Sequence, residues 1–149
     1  MNLYEAIKIC PLFMALAFAT GCAQRTDYVF AMPPETSAED FLAATRAAEE
    51  WQACNVVTAS VRIGTPEGED VPLRRVATIA DHQGFVAWWS ASGSIVYLDA
   101  QGHDLQSTLA HEMGHELGML HTQKGLMKPH NAQGAVGSEE CRALALERR

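Results

Sequence analysis

Apolar and polar positions follow two periods along this chain, and the switches between them mark its elements. Phe41, Leu42, Ala44, Thr45, Ala48 and Trp51 recur at helical spacing behind Ser37, a capping residue with Asp40 three positions on. A helix is therefore expected from Ala38 to about Ala53. Val57, Ala59, Val61 and Ile63 then alternate with Thr58, Ser60 and Arg62, the period-2 pattern of a half-buried strand. Gly64 to Pro72 reads as an acidic loop. Three more strand-like runs follow, at Leu73 to Ala80, Phe85 to Trp89 and Ile95 to Asp99. A second long helix is expected from Asp104 to Leu120. Asp104 or Ser107 can cap it, Leu105, Leu109, Met113 and Leu117 share one face, and Gly118 falls in its last turn. A final helix starts at Ser138. Strands and helices mixed in this way predict an α+β domain with a small sheet, a long helix before it, and a short C-terminal part with its own helix.

The first residues are set apart by composition. Ile9 to Ala19 is an apolar run shorter than the roughly 20 residues that span a bilayer, so residues 1–21 read as an export signal rather than a retained membrane helix. Ala19-Thr20-Gly21-Cys22 resembles a bacterial lipobox. That resemblance implies a protein held in the cell envelope by lipid on Cys22; plain cleavage and secretion is the alternative. Residues 22–37 contain Pro33-Pro34 and Thr36-Ser37 and read as a tether, which leaves 38–149 as one domain.

With 149 residues the chain has length for one core, and 48% apolar against 19% charged residues exclude a disordered or fibrous protein. A net charge of -7 with eleven scattered basic residues excludes nucleic acid as a partner. Nothing in the pattern asks for a second copy, so a monomer is expected. With Cys10 in the signal and Cys22 taken by lipid, Cys54 and Cys141 remain. An exported protein can bond them, and two buried thiols are the alternative.

The chemistry lies in residues 111–121, His-Glu-Met-Gly-His-Glu-Leu-Gly-Met-Leu-His. His111 and His115 are four apart on the expected helix, so both imidazoles leave one face and can grip one ion. Glu112 is one residue round, where a carboxylate can reach a water at the ion without ligating it, the placement of a general base. Gly118 permits a left-handed turn that swings His121 back as a third ligand. Three imidazoles with an open fourth position form a catalytic rather than a structural zinc arrangement.

Those positions resemble the signature of the metzincin zinc peptidases, H-E-x-x-H-x-x-G-x-x-H followed by a Met-turn, with the matrixin-like branch nearest. The resemblance implies a metzincin-like (zincin) domain with a twisted mixed sheet, and a Met-turn at Gly125 to Pro129, in which Met127 forms an apolar floor under the metal. It also implies one catalytic zinc ion and a zinc-dependent endopeptidase that cuts extended protein or peptide substrates, using water activated by the zinc with Glu112 as base. Gly84, Phe85, Val86 and Ala87 are similar to the edge strand that pairs with substrate in such enzymes. Pro129 stands where astacin-like and serralysin-like members carry a Tyr, so no Tyr ligand is expected. The competing reading is an envelope lipoprotein that holds zinc or binds peptide without cutting it.

Overall fold

A computed structural model of the chain describes residues 26–77, 86–90, 93–98, 104–129 and 134–148. It is a mixed α/β fold of five strands and three helices among these residues: β1 (Asp27–Met32), α1 (Ala38–Gln52), β2 (Thr58–Ile63), β3 (Val71–Val76), β4 (Ala87–Ser90), β5 (Ser94–Leu98), α2 (Leu105–Glu116) and α3 (Ser138–Glu147). The sheet order is β2-β1-β3-β5-β4. Strands β2, β1, β3 and β5 run parallel to their neighbours, and only the edge strand β4 is antiparallel, on β5.

The N-terminal reading needs correction, because part of the expected tether is structural. Tyr28, Phe30, Ala31 and Met32 are buried in β1, which pairs with β2 on one side and β3 on the other. A strand enclosed on both faces is an unbroken apolar run without alternation, and Pro33-Pro34 merely ends it. The expected loop from Gly64 to Pro72 is also shorter, since Val71 and Pro72 open β3. At Pro72 only β1 lies alongside and pairing with β5 starts at Leu73, so the missing N–H is accommodated.

Helix α1 begins where its cap predicts: the Ser37 side chain accepts from the Asp40 N–H. The helix buries Ala44, Ala47, Ala48 and Trp51, and its small alanines let it pack closely on α2 while it covers β2. The Trp51 indole N–H donates 2.7 Å to the Ala110 carbonyl inside α2, which ties the two helices at depth. Asp40 accepts from the Tyr97 hydroxyl at 2.9 Å and lies 3.5 Å from the Arg75 guanidinium, so the start of α1 is fastened to β3 and β5. Burial, with the Asp40 carboxylate beside it, pushes the Tyr97 hydroxyl pKa up.

Cys54 and Cys141 form a disulfide across 87 residues of sequence, joining the end of α1 to α3. Closing so long a loop contributes about 2–4 kcal/mol through the unfolded chain's lost entropy. Arg148 is half-buried and not a freely solvated chain-end charge. Arg148 donates to the Tyr28 hydroxyl (2.7 Å) and the Leu117 carbonyl (3.1 Å), and lies over the Tyr28 ring. Among the described residues no helix is long and apolar enough to cross a membrane. The Ile9 to Ala19 run and Cys22 lie outside the described residues.

Candidate metal centre

Asp104 caps α2 by accepting from the Ser107 N–H, as expected, but the helix stops at Glu116 and not at Leu120. Gly118 is the cause. It takes φ +92°, its N–H donates to the His115 carbonyl (3.0 Å), and the next N–H, of Met119, donates to the Gly114 carbonyl (2.8 Å). This paired arrangement closes a helix on a left-handed residue, a conformation that glycine adopts without the strain a Cβ brings. The chain then doubles back over the helix end it has just left.

The reversal brings His111, His115 and His121 together, close enough to hold a metal ion. The His115 Nε2 lies 3.2 Å from the His111 Nε2 and 3.1 Å from the His121 Nε2. Two of the rings are oriented by backbone carbonyls: the His111 Nδ1 lies 2.7 Å from the Leu126 carbonyl, and the His115 Nδ1 2.9 Å from the Met119 carbonyl. A carbonyl can only accept, so both Nδ1 atoms carry the hydrogen and both Nε2 atoms turn bare lone pairs to the common centre. Lone pairs at that separation repel unless a cation lies between them. Burial lowers the His111 pKa despite its bond to Leu126. Burial, aided by the neighbouring imidazoles, lowers His115 to about 4. Protons therefore compete weakly with a metal for these two rings at neutral pH.

Glu112 is half-buried between the two helical histidines, hydrogen-bonded to the Trp89 backbone in β4. Burial raises its pKa to about 7, against the lowering effect of that bond. A dication at the triad would favour the carboxylate and pull this value back down.

Met127 is fully buried, against the underside of α2. A Cβ added at Gly114 would come within 2.5 Å of the Met127 sulfur and 2.8 Å of Cζ2 of Trp51, so the helix turn between His111 and His115 rests on these two side chains. Thr122 N–H donates to the Met127 carbonyl (2.9 Å), closing the 121–127 segment into a loop.

Glu140 supports this loop, and the sequence reading missed it. Its buried carboxylate accepts from the Leu126 N–H (2.9 Å) and the Gly137 N–H (3.0 Å). The Leu126 carbonyl orients His111, so a single residue, Leu126, links the Glu140 carboxylate to the imidazole. Gly125, at φ +72°, leaves the space that carboxylate fills. The available signal was a Glu in the first turn of the last helix, a capping position. Glu50 was also missed; it accepts from the Val136 N–H (2.9 Å) and the Gln106 amide, holding the start of α2 and the approach to α3.

Of the proposed substrate strand, Ala87 opens β4 at the sheet edge, paired with Tyr97, and Val86 precedes it. Gly84 and Phe85 lie outside the described residues, as do His82, His103 and His130. The chain matches no protein-family model and no curated protein.

Proposed function

We propose that this protein is an exported zinc endopeptidase of metzincin-like fold, with zinc held by His111, His115 and His121, Glu112 as general base and Met127 as the floor of a Met-turn. The observation that carries the reading is the convergence of three imidazoles, the His115 Nε2 lying 3.2 Å from that of His111 and 3.1 Å from that of His121, with the tautomers of His111 and His115 fixed by backbone carbonyls. Zinc–nitrogen bonds of about 2.0–2.1 Å at tetrahedral angles separate their nitrogens by about 3.3–3.4 Å, close to the two separations measured from His115, and all three ligand nitrogens lie within 4.8 Å of one another. All three donors are neutral, which suits a catalytic zinc, and the described residues place no fourth His, Cys, Asp or Glu in the cluster.

When bound, zinc supplies Lewis-acid polarisation of the scissile carbonyl and makes the attacking water more acidic. The chain's own groups do the rest. Glu112 takes the proton from the attacking water and returns it to the leaving amine. The Trp89 backbone holds the Glu112 carboxylate in place while it alternates between these states. An extended peptide would add to the sheet beside β4, the last strand in the sheet order among the described residues. The same reading places the protein in the bacterial cell envelope, lipid-anchored at Cys22.

The purified protein should cleave members of a quenched-fluorescence peptide library, lose that activity with 1,10-phenanthroline, and regain it on zinc addition. Cleavage that survives removal of the zinc would rule out the mechanism. A fully zinc-loaded protein that cuts nothing would favour the metal-holding lipoprotein.

A further inference from the structure

The Trp89 side chain and Glu116 belong to none of the roles given so far. Along β4, Ala87 is buried, Trp88 exposed and Trp89 half-buried, so Trp89 points toward α2. There its indole N–H donates 2.7 Å to Oε2 of Glu116, the last residue of the helix. The same Oε2 is the nearest atom, at 4.0 Å, to where a Cβ on Gly93 would lie, so the carboxylate sits beneath the β4–β5 turn that the Gly93 N–H closes on the Ser90 carbonyl. The Trp89 ring lies 6.0 Å from the His115 ring, tilted by 35°. One residue thus meets the last turn of the metal-binding helix at three points: its backbone at Glu112, its ring at His115 and its indole N–H at Glu116.

We propose that Glu116 is a positioning residue: by holding the Trp89 indole it fixes edge strand β4 against the metal-binding helix and sets where an extended peptide lies over His115 and Glu112. This rests on the peptidase reading above. Strand β4 is only four residues long and, among the described residues, pairs with β5 alone. Its height above the helix therefore depends on side chains that cross between them. The Trp89–Glu116 bond is such a crossing. A peptide paired with β4 inherits that height, and an error of about 1 Å in the placement of a reacting carbonyl can cost about a hundredfold in rate.

The test uses 15N-tryptophan-labelled full chain with cobalt(II) bound in place of zinc. The Trp89 indole N–H signal is identified as the one missing from Trp89→Phe. In the wild type it should be broadened by the paramagnetic ion. Glu116→Ala should relieve that broadening and lower kcat about ten- to a hundredfold with zinc stoichiometry unchanged. Glu116→Gln, whose amide oxygen accepts the same bond, should recover both. Trp89→Phe should match Glu116→Ala, and the double variant should cost no more than either single change. Broadening that is unchanged in Glu116→Ala overturns the proposal, whether or not kcat falls. A wild type that cleaves nothing while the broadening responds as expected overturns the peptidase reading instead and leaves Glu116 as the residue that places Trp89 at the metal.

Discussion

Glu112→Gln should leave zinc bound at one ion per chain and lower kcat/KM for peptide hydrolysis by about 10²–10⁴-fold. The expectation follows from the position of Glu112 on α2. It directly follows His111 on the helix whose two imidazoles point to the same centre, so it can serve what binds there without joining the ligand set. The amide keeps the size of the carboxylate and can still accept the bond from the Trp89 backbone, so the fold around it should persist. An amide cannot take a proton from water at neutral pH, and the loss should fall on kcat rather than on KM. Zinc analysis together with steady-state kinetics on one preparation checks both halves. Activity within a few-fold of wild type would remove Glu112 as the base. Loss of zinc along with activity would make it part of the metal's support.

Gly114→Ala should destabilise the protein by about 1–3 kcal/mol, although helix propensity alone favours Ala over Gly by about 1 kcal/mol. The two effects oppose each other, and the local packing decides between them. A Cβ here would sit 2.5 Å from the Met127 sulfur and 2.8 Å from the Trp51 ring, well inside contact distance for both. Met127 is flexible by chemistry but fully enclosed, and Trp51 is anchored through its indole to Ala110, so neither has an open direction in which to yield. Pushing Met127 away also moves Leu126, whose carbonyl orients His111, so zinc affinity should fall with stability. Urea unfolding of the apoprotein measures the first effect, and competition with a chromogenic chelator measures the second. Stabilisation by the propensity increment would mean that Met127 does not pack beneath this helix.

How much of this was legible in the sequence depended on whether the responsible force acts locally. Both long helices start at the residues whose side chains cap them, Ser37 and Asp104, because a cap is settled within four residues. The three imidazoles were legible for the same reason: a four-residue helical spacing and one glycine are short-range geometry. The end of α2 was placed too late, because Leu117, Met119 and Leu120 continue an apolar pattern that the turn at Gly118 re-uses. Leu117 and Met119 are buried and Leu120 is exposed, which the continued helix did not predict. Strand β1 was hidden because enclosure on both faces erases alternation, and its neighbours look like linker. The contacts of Glu140 with Leu126 and of Trp89 with Glu116 span 14 and 27 residues. They follow from how the elements dock, and no sequence period encodes that.

Histidine ligation of a single ion is the claim on which the rest depends. X-ray absorption at the zinc edge of the purified, zinc-loaded protein tests it most directly, with His121→Ala as the comparison. The account predicts one zinc per chain with three imidazole nitrogens and one further light atom at about 2.0–2.1 Å, and one imidazole fewer in the variant. A first shell containing sulfur, or a spectrum and stoichiometry unchanged by His121→Ala, would contradict it.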